Sequence, residues 1–143
     1  MEGYYQAITN VPVSDTRKEF SMLNSGADFN TPNIDSLKNA GTGKNYGIEL
    51  TLEKFYHQGY YFLITNSLFN SKYTASDHLE RNTAFNGNYV SNLLAGKEFK
   101  IKDNHNLSFD CKFTLAGGKR YTPIDESASR LKAEAVYDQE RAY

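Results

Sequence analysis

Residues 107–116 alternate strictly between apolar and polar side chains, and this pattern constrains the fold more than any other feature of the chain. The apolar positions are Leu107, Phe109, Cys111, Phe113 and Leu115, and the polar positions between them are Ser108, Asp110, Lys112 and Thr114. Successive side chains of a β-strand point to opposite faces, so the pattern predicts a strand with one apolar and one polar face. The apolar face can pack against a second sheet in water, or it can contact lipid while the polar face lines a wet lumen.

The composition narrows the choice between these two solvents. Of the 143 residues, 39% are hydrophobic, and this fraction includes 11 Tyr but no Trp. Tyrosine favours positions where one end of its ring stays wet, which suits the aromatic girdles at membrane interfaces, although the one-sided sheets of soluble proteins also tolerate many Tyr. A formal charge of −1 with scattered Lys and Arg excludes the basic surface of a nucleic-acid binder. The single Cys111 excludes an internal disulfide framework.

Five segments predict an all-β chain built as an antiparallel β-meander. Three of them alternate between apolar and polar residues, the first is rich in β-forming residues, and the segment from Tyr60 follows a tight turn. The strands are expected near 2–13, 44–55, 60–71, 89–101 and 107–116, and the loops at 14–43, 72–88 and 117–143. Gly, Pro, Asn and Asp are frequent in the loops, whereas β-branched, aromatic and aliphatic residues are frequent in the strands. Lys97 interrupts the apolar row of the fourth strand.

The predicted connections alternate between long and short, and a long tail follows the last strand. Successive connections of an antiparallel meander lie at opposite ends of the sheet, so every long segment falls at one end and every short turn at the other. The short turns are expected at 57–59 and 103–106. Outer-membrane barrels have this asymmetry, with short periplasmic turns and long extracellular loops. The pattern therefore favours part of a large transmembrane outer-membrane β-barrel.

One group of polar residues is a candidate for the lumen of such a barrel. These residues alternate with the apolar positions of their strands, and they are Glu49, Thr51, Glu53, Asp110 and Lys112. In a barrel they line the lumen, where they contact a plug or a ligand through water and charge pairs. In a water-soluble sheet the same residues form a solvated outer face.

A second group, Arg120, Tyr121 and Asp125, follows the last predicted strand, where an extracellular loop or a barrel rim is expected. An Arg and an aromatic residue at the base of a loop suit an anionic or sugar ligand. Alternatively, Arg120 and Tyr121 have a structural role and anchor the loop to the barrel rim together with Asp125. We favour this structural interpretation.

No constellation of side chains predicts catalysis or a cofactor. Asp77, His78 and Glu80 carry metal-binding atoms, but their spacing matches no established metal motif. His57, His78 and His105 fall in separate turns and loops, and no nucleophile is placed beside a base. We therefore expect no enzyme activity, no metal site and no cofactor.

Four ordered segments resemble the late barrel region of TonB-dependent outer-membrane receptors, and they are residues 45–54, 82–90, 92–99 and 116–125. The last segment is similar to the Gly-Gly-basic-basic-Tyr-Thr-Pro-Ile-Asp opening of a loop in that family. The likeness runs from Tyr4 to the end of the chain. It lies in the subgroup that carries a carboxypeptidase-regulatory-like domain ahead of the plug.

The resemblance implies a bacterial outer-membrane receptor that imports a scarce ligand with energy passed through the TonB protein. Such receptors have about twenty-two strands closed around a plug. Because five strands are predicted here, we expect a fragment of the C-terminal part of the barrel, with the plug and the TonB-contacting segment outside it. The implied partners are outer-membrane lipid, the receptor's own plug and TonB. The ligand class stays open among siderophore, vitamin, glycan and peptide.

The alternative function is a soluble β-sheet module that binds a ligand in the mouth of a small barrel. That fold needs closing strands and a protein cover for its apolar face. The predicted segments include neither of them, and the sequence therefore favours the membrane interpretation.

Overall fold

The computed structural model describes residues 1–27, 34, 36–102, 105–138 and 141. The elements in chain order are β1 (Glu2–Ser14), a short 3-10 helix (Met22–Asn24), β2 (Leu37–His57), β3 (Tyr60–Thr74), β4 (Glu80–Asn82), β5 (Tyr89–Lys102), β6 (His105–Ala116) and α1 (Glu126–Lys132). The chain is mostly antiparallel β-sheet, so the predicted all-β antiparallel class is confirmed.

The strands form one sheet in the order β1-β2-β3-β5-β6, and β4 pairs with β3 beside this path. β3 is antiparallel to β5 from Tyr60↔Lys97 to Leu68↔Tyr89. β5 is antiparallel to β6, with Val90 opposite Ala116 and a register irregularity between Lys100 and Lys102. The sheet is not closed, and β1 and β6 are its outermost strands in the described part of the chain.

The connection between β2 and β3 is a two-residue turn at Gln58 and Gly59. Both residues have positive φ, at 55° and 78°. A type I′ turn needs positive φ at both central positions, and its twist matches that of the flanking strands. The predicted turn between β5 and β6 includes residues 103 and 104, which lie outside the described residues.

The predicted loop at 14–43 is wrong at its second end, because β2 begins at Leu37. Gly41 and Gly43 fall within the predicted loop, but both are strand residues. A Cβ on Gly41 would meet the Val13 side chain and would come within 3.2 Å of the Thr74 carbonyl oxygen. Glycine occurs inside a strand where another chain segment approaches closely. Residues 28–33 and 35 of this predicted loop lie outside the described residues.

The predicted loop at 72–88 contains the end of β3 and all of β4. Lys72↔Asn82, Tyr73↔Arg81 and Thr74↔Glu80 pair in an antiparallel ladder. Glu, Arg and Asn have low intrinsic preference for strands, and the sequence pattern therefore missed β4.

The predicted loop at 117–143 contains α1. The side chain of Asp125 accepts a hydrogen bond from the Ala128 N–H at 3.0 Å and caps the first turn. Ala133 follows the helix in the left-handed conformation with φ 53°, the usual geometry of a helix end. The seven-residue helix was missed because it is too short to show a helical period.

The described chain divides into two compact units. The first, which we call the sheet unit, consists of Met1–Tyr4, Gly47–Phe69 and Gly87–Gly117. None of its large hydrophobic side chains is among the buried ones in the described residues. The second, which we call the core unit, consists of Tyr5–Tyr46, Asn70–Asn86 and Gly118–Tyr143.

The core unit contains a small buried cluster. Val13, Tyr73 and Ala75 are at most 2% exposed, and Leu23 packs against them. The hydroxyl of Tyr73 donates to the carbonyl oxygen of Glu19 at 3.0 Å, so its polar end is satisfied. Burial of these side chains stabilises the core unit by the hydrophobic effect, at roughly 1.5–3 kcal/mol for a large apolar side chain.

Candidate functional site

The sheet unit presents a largely apolar face, which one polar pair interrupts. The registers place Ile64, Leu93 and Phe113 in one row and Phe62, Ala95 and Cys111 in the next. The apolar residues of this face are Ile48, Leu50, Leu52, Phe62, Ile64, Leu68, Leu93, Ala95, Leu107, Phe109, Cys111, Phe113 and Leu115. The interruption is Asn66, which lies opposite Ser91 and accepts a hydrogen bond from its hydroxyl at 2.7 Å. Phe109 is 62% exposed and Phe113 is 57% exposed, and water-soluble proteins rarely leave large apolar patches uncovered.

The opposite side of the same strands is a polar face joined by side-chain hydrogen bonds. Ser67 donates to Glu49 Oε1 at 3.3 Å. Asn92 donates to Thr65 Oγ1 at 3.2 Å, and its Oδ1 accepts from the Thr114 hydroxyl at 2.9 Å. The first bond connects β3 with β2. The other two connect β5 with β3 and β6 with β5.

The five predicted lumen residues all lie on this polar face. Glu49 is bonded to Ser67, and Thr51 and Glu53 share its side of β2 by alternation. Asp110 and Lys112 lie opposite Gly96 and Leu94. All five side chains are exposed. The structure thus places all five side chains on one surface of the sheet, which is the side opposite to the apolar face.

Tyr61 and Asp110 are bridged across a glycine on the polar face. The Tyr61 hydroxyl donates to Asp110 Oδ1 at 2.6 Å. Gly96 lies between them, because it is opposite Tyr61 in β3 and opposite Asp110 in β6. A Cβ on Gly96 would come within 2.6 Å of the Tyr61 ring carbon that carries the hydroxyl. The sequence pattern did not predict this hydrogen bond, although a glycine inside a predicted strand can indicate that another group approaches the backbone closely.

Two lysines and three aromatic residues lie at the end of the apolar face near the short turns. We call this group the belt cluster, and it consists of Lys54, Tyr60, Lys97, Phe99 and Phe109. Lys54 Nζ is 4.4 Å from the centroid of the Tyr60 ring, and Lys97 Nζ is 4.8 Å from that of Phe99. The Phe99 and Phe109 rings meet edge to face at 6.1 Å. Ammonium groups over aromatic faces are attracted by the ring quadrupole.

A shallow hollow adjoins the belt cluster. It has a volume of about 460 Å³, and it is lined by Tyr60, Tyr61, Phe62, Ala95, Gly96, Lys97 and Phe109. Ala95 has only a methyl group, and its neighbours in the register are Phe62 and Cys111. The phenylalanine rings that line the hollow are those of Phe62, opposite Ala95, and of Phe109, opposite Lys97.

The core unit contains a well-shielded ion pair at the start of β4. Arg81 binds Asp77 through two nitrogen–oxygen contacts, at 2.7 Å and 3.0 Å. Partial burial acts to raise the pKa of Asp77, but the hydrogen bonds from Arg81 and the Leu79 N–H outweigh it and hold that pKa below its usual range. The same pairing raises the pKa of Arg81. The pair therefore stays ionised at neutral pH and fixes the short strand.

Glu80, which precedes Arg81 in β4, binds two lysines from neighbouring strands. It forms ion pairs with Lys44 of β2 and, at 2.9 Å, with Lys72 of β3. The hydrogen bonds from Lys44 and then Lys72 lower the pKa of Glu80. All three side chains are about one-third or more exposed, so solvent screening limits what the triad adds to stability.

The three predicted rim residues have different environments in the core unit. Arg120 Nε donates to the carbonyl oxygen of Asn86 at 2.9 Å, and this bond ties the segment after β6 to the β4–β5 connection. Asp125 caps α1. Tyr121 is 77% exposed.

The three histidines lie in separate elements of the chain. His57 ends β2, His105 begins β6, and His78 precedes β4 with a positive φ of 61°. Within the residues that the structure describes, no group of three or more His, Cys, Asp or Glu side chains is close enough to hold a metal ion. In that same part of the chain, no helix has the length and apolar character to cross a membrane.

Comparisons of the chain with protein-family models, with curated proteins and with solved structures find no match.

Proposed function

We propose that this chain forms part of the wall and extracellular loops of an outer-membrane, TonB-dependent receptor that imports a scarce ligand. The observation that carries the proposal is the pairing of a largely apolar face, on which Phe109, Phe113 and Leu115 are exposed, with a hydrogen-bonded polar face on the same strands. Lipid is the solvent that accepts such an apolar face without a protein cover, and a wet lumen accepts the polar one.

The energetics favour contact of the apolar face with lipid. Transfer of one exposed Phe or Leu side chain from water to an apolar environment is worth roughly 1.5–3 kcal/mol. The apolar face carries many such side chains, among them Phe109, Phe113 and Leu115, at 62%, 57% and 49% exposure. Aromatic residues of the belt cluster at one end of this face fit the girdle at a membrane interface.

The lengths of the connections support the same proposal. Residues 15–36 join β1 to β2 and residues 75–88 join β3 to β5, whereas β2 to β3 and β5 to β6 take two residues each. In an antiparallel meander the two short turns fall at one end of the sheet and the two longer segments at the other. This is the arrangement of periplasmic turns and extracellular loops in outer-membrane barrels.

In this proposal the outermost strands, β1 and β6, pair with further strands of the barrel, since an unpaired edge exposes backbone groups that lipid cannot satisfy. The polar face then lines the lumen, where Glu49 and Asp110 would contact a plug domain. Tyr121 would lie in an extracellular loop. The ligand belongs to one of the classes that such receptors import, which are siderophores, vitamins, glycans and peptides.

A water-soluble β-sheet module that binds a ligand is the second candidate. The observation in its favour is the core unit, which has a buried cluster of its own around Val13 and Tyr73. The exposed apolar face of the sheet unit weighs against this alternative, because water would contact all of it.

The two candidates differ in the solvent that the chain needs. The 143-residue chain is expressed without detergent and studied by size-exclusion chromatography and far-ultraviolet circular dichroism, first in buffer and then with phospholipid vesicles. We expect aggregation in buffer and a stronger β-signal with vesicles. A monodisperse monomer that melts cooperatively in plain buffer would contradict the membrane proposal and favour the soluble module.

A further inference from the structure

The belt cluster contains two positive charges for which its own face provides no counter-charge. The residues of the apolar face and of the belt cluster include no Asp or Glu. In the described part of the chain neither Lys54 nor Lys97 forms an ion pair with a carboxylate, and each has its contact with an aromatic ring instead. An ammonium group next to an apolar surface attracts any anion that can reach it, since screening by water is reduced there.

The two lysines flank the same aromatic residue. Lys97 lies directly opposite Tyr60 in the register between β3 and β5, and Lys54 Nζ lies over the Tyr60 ring. Long lysine side chains at a membrane interface extend along apolar surface and hold the charged group at the headgroup level. Both charges are therefore placed at one end of the apolar face, on either side of Tyr60.

The hollow next to the cluster adds an apolar feature at the same place. Tyr60, Lys97 and Phe109 belong both to its lining and to the belt cluster. The hollow continues from these residues towards Ala95, which lies further along the apolar face. A molecule that is anionic at one end and hydrocarbon at the other matches this order of charge and apolar surface.

We propose that the belt cluster and the adjoining hollow form a binding site for an anionic glycerophospholipid, with its phosphate at Lys54 and Lys97 and part of an acyl chain over Ala95. The inference rests on the proposed function, because a phospholipid reaches this face only when the face lies in a bilayer. It goes beyond that function by assigning a preferred lipid to a particular position on the wall.

Cys111 provides a reporter for the test, because it is the chain's one cysteine, it is exposed and it lies opposite Ala95 on the apolar face. The full chain is labelled there with bimane and incorporated into vesicles of mixed phosphatidylcholine and phosphatidylglycerol. Either lipid in turn carries bromines on its acyl chains, which quench the fluorophore on contact. The ratio of the two quenching curves gives the relative affinity of the site for the anionic lipid.

We expect stronger quenching by brominated phosphatidylglycerol than by brominated phosphatidylcholine at equal mole fraction. Lys54→Gln and Lys97→Gln should each lower the relative affinity by about fivefold, the effect of one lysine near an anionic membrane surface. Lys100→Gln is the matched control. Lys100 lies opposite Asn106, whose side chain bonds Glu98 on the polar face, so this variant should leave the ratio unchanged.

The quenching results distinguish failure of the lipid site from failure of the proposed membrane function. Equal quenching by the two lipids, or a ratio that the two lysine variants leave unchanged, would overturn the lipid site while the quenching itself keeps the face in the bilayer. Absence of quenching by both lipids would overturn the site and the membrane proposal together. Circular dichroism of each variant in vesicles ensures that only chains with the wild-type β-signal are compared.

Discussion

At the scale of single residues, neighbours in β6 are in opposite environments. Phe113 lies in the apolar row with Leu93, whereas Thr114 bonds Asn92 on the polar face. Both side chains are exposed, so burial does not distinguish them, and only the solvent on each side of the sheet can. Substitutions at these two adjacent positions therefore test the orientation of the whole strand.

Phe113→Lys should lower the free energy of unfolding in vesicles by about 2–4 kcal/mol, which is the cost of a lysine facing lipid near the bilayer centre. Thr114→Lys is the matched control, and it should lower the value by no more than about 0.5–1.5 kcal/mol, the net worth of the hydrogen bond from Thr114 to Asn92. Urea unfolding of the vesicle-bound chain measures both. Equal destabilisation by the two variants would mean that the assigned faces are incorrect.

Gly96→Ala should destabilise the chain by about 1–3 kcal/mol, because its Cβ would overlap the Tyr61 ring and the carboxylate of Asp110. Gly118→Ala serves as the control, since no atom lies within 4 Å of a Cβ at that position. In a Tyr61→Ala background the Gly96→Ala change should cost less, which a double-mutant cycle detects. A full cost in that background would exclude the Tyr61 ring as its cause.

At the scale of elements, β4 depends on contacts that its own sequence does not suggest. Its ladder with β3 covers three residue pairs, and the charged side chains of Asp77, Glu80 and Arg81 hold the strand in place. Intrinsic strand preference is weak for such residues, so tertiary ion pairs replace it. This makes β4 the element of the core unit whose stability should depend most on pH.

The stability of the core unit should fall in acid through Asp77. Its pKa in the folded chain is below its usual value, so it contributes stability above the unfolded value of about 3.9. That contribution is lost as pH falls below about 4 and through the folded-state pKa. Asp77→Asn should remove about 1–3 kcal/mol at pH 7 and reduce the pH dependence below about pH 5.

Asp15→Asn is the control for the acid experiment. Asp15 pairs with Lys38 at 2.5 Å, but about half of each side chain is exposed, at 48% and 46%, and such surface pairs contribute little. Urea unfolding across this pH range compares the two variants with the wild type. An Asp77→Asn variant that keeps the wild-type pH profile would show that the ion pair with Arg81 does not stabilise β4.

At the scale of the whole molecule, the two units have different means of stabilisation. The core unit buries Val11, Val13, Tyr73, Ala75 and Ala84, whereas the sheet unit leaves its large apolar side chains exposed. A unit that buries few apolar groups opens easily and exchanges its amide hydrogens fast. The membrane proposal therefore predicts that lipid changes the two units to different extents.

Hydrogen exchange measured by mass spectrometry should show this difference. Peptides that cover residues 107–116 should exchange fast in dilute buffer, at a concentration where the chain is monomeric, and gain strong protection in vesicles. Peptides around Tyr73 should be protected in both conditions, because their core is formed by protein. Strong protection of residues 107–116 in buffer, at a concentration where the chain is monomeric, would contradict a lipid-facing role.

The five long strands and the antiparallel class were predictable from signals that are local in sequence. Three strands have a period-2 pattern, and the other two have β-forming residues and a tight turn between neighbouring strands. The orientation of Glu49 and Asp110 followed from the same period. The hydrogen bond from Tyr61 to Asp110 and the position of Lys54 over Tyr60 were not predictable. They depend on the register between strands, and no single strand contains that information.

The sequence by itself determined which residues of each long strand share a face, because alternation is a property of the extended backbone. Only the tertiary structure decided that Lys38 to Gly43 belong to β2, that Glu80–Asn82 form a strand, and that Asp125 starts a helix. Low strand preference hid the first two elements, and the seven-residue length hid the helix. The contacts that stabilise the two strand segments join residues that are distant in sequence, and the helix has too few residues to show a period. These elements therefore become evident only in the folded chain.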